Sequence, residues 1–125
     1  MVFDTDVIID LSDGRASAAA AVKEARERLL SVISYMELMR GARDSRERDA
    51  IKRFVEERRF AVLPLTEGIG QRASFYIEQY AMGARLGVTD ALIAATAVEH
   101  GLTLCTGNYR HFRMIAGLAL RPFRP

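Results

Sequence analysis

The stretch Val2-Phe3-Asp4-Thr5-Asp6-Val7-Ile8-Ile9 reads as a buried strand over residues 1–9. It is apolar on both alternating faces and β-branched toward its end, as strands covered by helices on both sides are. Asp4 interrupts that strand. A carboxylate inside a buried strand costs several kcal/mol unless it is paired or bound to a cation.

Strand-like and helix-like segments alternate from there on. Residues 15–29 are alanine-rich with i, i+4 charges such as Glu24 and Arg28, so a helix is expected. Leu30–Ile33 reads as a short strand, followed by helices over 35–42 and 45–58. Phe60–Leu65 reads as the third strand, with Pro64 near its end. A long helix is expected over 67–84 and another over 90–100. Leu102–Thr106 reads as a strand, 108–115 as a short helix and Leu118–Leu120 as an edge strand. This alternation predicts one α/β domain over 1–125 with a mainly parallel sheet.

A chain of 125 residues buries roughly two thirds of its unfolded surface, enough for a core without staples. Half of it is hydrophobic and 27% is charged, a globular balance that argues against disorder. No stretch approaches the roughly 18 apolar residues of a membrane span, and the acids at 4, 6 and 10 break any signal-peptide pattern. The single Cys105 lies in an apolar run and suits a reducing compartment, so a cytoplasmic protein is expected. Net charge is only +2, yet of the 18 basic side chains only Lys23 and Lys52 are lysines. Arginine's planar fork suits phosphate, so the balance permits a nucleic-acid partner without requiring one.

Three acids stand at comparable places in this order. Asp4 lies in the first strand, Glu37 just past the second, and Asp90 at the start of a helix. In an open α/β sheet, strand ends and helix starts line one crevice, so acids from separate elements can meet there. Converging carboxylates raise one another's pKa, and a hard divalent cation relieves them. Each also has a structural explanation. Ser34-x-x-Glu37 fits a capping box, and Thr89 fits an N-cap with Asp90 in the favoured first turn. Asn108 is a candidate for hydrogen bonds at the cleft rim and Thr106 for orienting a ligand or water; both also fit an ordinary strand-to-helix turn, with Phe112 in the core, and His111 fits a surface or cap position.

Four blocks carry a resemblance over nearly the whole chain. They are Asp4-Thr5-Asp6-Val7; Ser34-Tyr35-Met36-Glu37-Leu38 with Arg40-Gly41-Ala42; Thr89-Asp90-Ala91-Leu92-Ile93-Ala94-Ala95-Thr96-Ala97; and Leu104-Cys105-Thr106-Gly107-Asn108-Tyr109-Arg110-His111-Phe112. In this order they resemble the PIN-domain family, specifically the VapC-type toxin ribonucleases of toxin–antitoxin systems. The resemblance implies a three-layer α/β/α fold and an endoribonuclease dependent on Mg²⁺ or Mn²⁺. It implies that Asp4, Glu37 and Asp90 bind the metal, that Asp6 supplements them, and that Thr106 positions water or phosphate. Many members carry a fourth acid in the last block, where this chain has Asn108 and His111. That departure implies one well-held ion and a weakened second site.

The resemblance also implies a homodimer and a small antitoxin that lays a helix or arm into a groove. Phe75, Tyr76, Tyr80 and Met82 on the long helix are candidate anchors, with core packing as the alternative. Arg40, Arg85 and Arg110 are candidates for holding RNA phosphates, although Arg85 also suits a helix C-terminus. Two other functions fit parts of the pattern. One is a PIN-fold binding module without catalysis. The other is a haloacid-dehalogenase-type phosphatase, whose Asp-x-Asp motif Asp4-Thr5-Asp6 matches; that fold needs a lysine after a suitable strand, which neither Lys23 nor Lys52 provides.

Overall fold

A computed structural model describes residues 1–124; Pro125, the last residue of the expected domain, lies outside the described residues. The elements in chain order are β1 (Val2–Phe3), α1 (Thr5–Ser12), α2 (Ala16–Glu24), β2 (Leu29–Ser31), α3 (Val32–Arg40) and α4 (Ser45–Glu57). Then come β3 (Ala61–Leu63), α5 (Glu67–Ala84), α6 (Val88–Glu99), β4 (Leu104–Thr106), α7 (Tyr109–Phe112) and β5 (Leu120–Pro122).

The strands form one five-stranded sheet in the order β3-β2-β1-β4-β5, and every pair is parallel. Alternate residues feed opposite cores. Val2, Leu29 and Leu104 pack with Ile69, Tyr76, Ile93 and Phe112 on the α5–α6–α7 side. Their neighbours Phe3, Leu30 and Cys105 pack with Val7, Leu11, Val22 and Val55 on the α1–α2–α4 side. Two cores on two faces make the expected three-layer α/β/α arrangement. Among the described residues no helix is long and apolar enough to cross a membrane.

The opening stretch differs from its sequence reading. The strand ends at Phe3, and a helix starts at Thr5 with Asp4 as its N-cap. Val7, Ile8 and Leu11 are buried on one face at helical spacing, which the contiguous apolar run conceals. A second boundary moves for the same reason. Val32 and Ile33 are β-branched but helical, because Ser31 Oγ accepts the Ile33 N–H at 3.0 Å and starts α3 there. The last strand lies at Leu120–Pro122, two residues later than expected, paired in parallel with β4.

Chain order sets where a ligand can enter. From β1 the sheet grows to β2 and β3 on one side, then to β4 and β5 on the other. The crossovers therefore part between β1 and β4, and a crevice opens at the C-terminal ends of those two strands. Asp4 follows β1 at this point, and Thr106 ends β4. Helix α3 packs on both α1 and α6 and closes the crevice from the side.

Candidate active site

Asp4 is the centre of the crevice. Its backbone N–H still belongs to the sheet and donates to the Cys105 carbonyl at 2.9 Å, while its side chain caps α1. Only 4% of it is exposed. Oδ1 accepts the Thr5 N–H at 2.8 Å, and Oδ2 accepts the buried Thr106 hydroxyl at 2.7 Å. Thr106 Oγ1 in turn accepts the Asn108 N–H at 2.9 Å, which fixes the hydroxyl's direction. Each Asp4 oxygen keeps a further lone pair. Burial pushes the Asp4 carboxyl up from 3.8 to about 6; the Thr106 hydroxyl opposes this, and the charges of Asp6 and Asp90 add to it.

Asp6 lies in the first turn of α1 and reaches across to the loop after β4. Its Oδ2 accepts the Gly107 N–H at 2.9 Å, and a Cβ at position 107 would collide with that oxygen. The other oxygen, Oδ1, is buried and has no partner among the described residues. Burial raises the Asp6 carboxyl, and the Gly107 N–H opposes the rise.

Glu37 and Asp90 come from the other walls. The expected Ser34–Glu37 capping box does not form, since Ser31 caps α3 and Ser34 is buried inside the helix. Glu37 instead accepts the Thr5 hydroxyl at 2.6 Å. Nor does Thr89 cap α6: the helix starts at Val88 from Gly87, with no side-chain cap, and Asp90 lies in its first turn. Asp90 Oδ2 stands 3.6 Å from His111 Nδ1 on α7. Burial raises the Asp90 carboxyl; the His111 ring opposes this and the Glu37 charge adds to it.

A PIN-domain model matches residues 1–118. This chain belongs to the PIN-domain family. It is 34% identical over 122 residues to Ribonuclease VapC10 of Mycobacterium tuberculosis, spanning 94% of this chain and 90% of that protein. It is 33% identical over 124 residues to Ribonuclease VapC1 of Rickettsia felis, spanning 94% and 92%. Its fold matches a solved toxin–antitoxin complex from Klebsiella pneumoniae at a TM-score of 0.82, with 30% identity, over 99% of this chain and 98% of that one.

Within this PIN domain the structure brings Asp4, Asp6, Thr106 and Asn108 into one hydrogen-bonded set, with Glu37 joined through Thr5 and Asp90 through its charge. The donors are hard oxygens, which suit Mg²⁺ or Mn²⁺. The unpartnered Asp6 oxygen and the raised Asp4 carboxyl are the marks of a site short of positive charge. Among the described residues no group of three or more acid, histidine or cysteine side chains stands close enough together to hold a metal ion. Thr5 and His111 were not singled out from the sequence as site residues. The chain order alone hides both, because their partners Glu37 and Asp90 lie on other elements.

The predicted arginines are dispersed. Arg40 ends α3, Arg85 follows α5 in the left-handed conformation with φ 55°, and Arg110 lies on α7. All three are exposed, and none makes a hydrogen bond or ion pair among the described residues. The candidate anchors on α5 divide. Phe75 and Met82 are 52% and 99% exposed, whereas Tyr76, at 2%, is core, and Tyr80 packs against that core. Cys105 is buried, and burial pushes its thiol up to about 11, so it serves as packing rather than as a nucleophile.

Proposed function

We propose that this protein is a metal-dependent endoribonuclease acting in the cytoplasm, the toxin of a type II toxin–antitoxin pair. The observation that carries this reading is the buried Asp4 carboxyl, raised to about 6, beside Asp6 and Asp90 at the β1–β4 crevice of a PIN domain. The ribonuclease names of the relatives, VapC10 and VapC1, support it.

Asp4, Glu37 and Asp90 would hold Mg²⁺ or Mn²⁺, with Asp6 as a supplementary oxygen donor. Such an ion lowers the pKa of a water and offsets charge at a phosphate oxygen. Thr106 holds Asp4 Oδ2 in place, and Thr5 holds Glu37. One of these carboxylates, Asp90 or Asp4, would help take the proton from the attacking water. Attack by water, rather than by the 2′-hydroxyl, with the P–O3′ bond breaking and the 3′-oxygen taking up a proton, would leave a 5′-phosphate and a 3′-hydroxyl. With Asn108 and His111 in the last block, one ion suffices for the carboxylates present.

The partners follow the same family. We propose a homodimer and a bound antitoxin, as supported by the fold match to a toxin–antitoxin complex. An apolar cleft of about 220 Å³ between α1, α3 and α4, walled by Ile8, Leu38, Ile51 and Phe54, offers anchors for a partner helix. Helix α5 offers less, since Tyr76 and Tyr80 are taken up by the core.

The test is cleavage of a fluorogenic single-stranded RNA with Mg²⁺, with Mn²⁺ and with excess EDTA, comparing wild type with Asp90→Asn. Cleavage that needs metal and disappears in the variant is the expected result. A folded wild type that cuts no RNA under any metal overturns the catalytic assignment and leaves a PIN-fold binding module.

A further inference from the structure

Next to the carboxylates lies a cavity of about 440 Å³, bounded by the β4–α7 loop and by the residues around the end of β5. Its volume falls in the roughly 300–1,000 Å³ range of small-ligand sites. Asn108, Tyr109, Arg110, His111 and Arg124 line it, and no carboxylate does. Two contacts join it to the site: His111 faces Asp90 at 3.6 Å, and Gly107 donates to Asp6.

The lining is unusual in what it leaves free. Tyr109 is 42% exposed and stacks on no other ring among the described residues. Arg110 and Arg124 are exposed, with no ion pair or hydrogen bond among the described residues. The other large arginine-lined cavity, near Arg26, Arg28 and Arg59, differs: Glu27 and Glu57 line it too, and Arg28 donates to the Arg58 carbonyl. A free aromatic face with two free guanidiniums is the combination that takes one nucleotide, the base on the ring and the phosphate on the cations.

We propose that this cavity binds a single unpaired nucleotide of the RNA substrate beside the scissile phosphate, with its base against Tyr109 and its phosphate held by Arg110 and Arg124. The proposal rests on the ribonuclease reading above and adds to it the residues that hold one nucleotide. A base can reach Tyr109 only when it is unstacked from its neighbours, so the substrate is single-stranded or looped RNA. Arg124 thereby becomes a binding residue that the sequence did not mark.

The experiment measures binding of a short fluorescent oligoribonucleotide to the cleavage-deficient Asp90→Asn protein, and KM and kcat in the otherwise wild-type chain. Tyr109→Ala is expected to weaken binding and raise KM about 10-fold, as loss of one stacked base does. Tyr109→Phe keeps the ring and is expected to bind as wild type does. Arg124→Ala is expected to weaken binding and to flatten its salt dependence by about one phosphate contact. A duplex of the same sequence is expected not to compete. If Tyr109→Ala and Arg124→Ala leave Kd and KM unchanged while RNA is still bound and cut, the subsite is overturned and the ribonuclease stands. If neither wild type nor Asp90→Asn binds RNA, both fall. Because both side chains are on the surface, unchanged melting of the variants separates lost binding from lost folding.

Discussion

The two ends of the sheet carry opposite kinds of polarity. At the N-terminal end, before β2 and β3, a cavity of about 580 Å³ is lined by Arg26, Glu27, Arg28, Glu57 and Arg59. Positive and negative side chains alternate there in solvent. At the C-terminal end Asp4 is buried, and the like charges of Asp6 and Asp90 bear on it. The larger cavity is thus an ordinary mixed-charge surface, while the crevice holds like charge that Thr106, Gly107 and His111 offset only in part. Stored like charge, rather than open volume, marks where a cation and its chemistry belong.

The largest test of this contrast is activity. Asp90→Asn is expected to lower RNA cleavage by about 100-fold or more, as loss of a group serving a metal-assisted step does, while Arg26→Ala at the opposite end leaves the rate unchanged. Equal losses from the two changes would erase the distinction between the ends.

Next comes the stability of the metal-free protein. Asp4 has a folded pKa of about 6 against 3.8 for a free carboxyl, so the folded state binds its proton more tightly. The stabilisation from that proton is complete below pH 3.8 and is lost as the pH rises through about 6. Asp4→Asn, which needs no proton, is therefore expected to be about 2 kcal/mol more stable than wild type above pH 7 in EDTA. The advantage should vanish near pH 4 in denaturant titrations. A variant less stable than wild type at pH 8 would mean that Asp4 carries no stored repulsion.

Thr106→Val keeps the shape but removes the hydroxyl, leaving Asp4 Oδ2 and the Asn108 N–H without their partners. A loss of about 1–2 kcal/mol is expected, because a buried charge-assisted hydrogen bond disappears. Since the hydroxyl favours the ionised Asp4, the loss should be larger at pH 8 than at pH 5. The smallest effect belongs to Thr5→Val. Its bond to the exposed Glu37 is worth about 0.5 kcal/mol, near the limit of a denaturant titration.

Much of this contrast can be read from the sequence, and its failures share a cause. The alternation of elements, the parallel sheet, Asp4 at a strand-to-helix junction and Asp90 at a helix start all follow from pattern, whereas Glu37 lies inside α3 rather than just past the second strand. The boundaries fail where a helix starts directly on a strand's end. In Phe3-Asp4-Thr5-Asp6-Val7-Ile8 and in Leu30-Ser31-Val32-Ile33, β-branched residues carry on into the helix, and only the capping side chain marks the change. Val7, Ile8 and Leu11 did carry helical spacing, but a short apolar run fits both periods. The site is legible as a set of residue types and not as a set of contacts. That Thr5 serves Glu37, and that His111 faces Asp90, depends on how α3 and α6 pack, which no local pattern encodes.

The bond between Thr106 and Asp4 spans 102 positions of chain. At the usual pace of protein synthesis, about 5–20 residues per second, the ribosome needs on the order of ten seconds to make that interval. Throughout it the growing polypeptide carries its first acids without the strand that orients them. A carboxylate site built this way stays unfinished on the ribosome that makes it, and is completed only after β4 has emerged and slipped in beside β1.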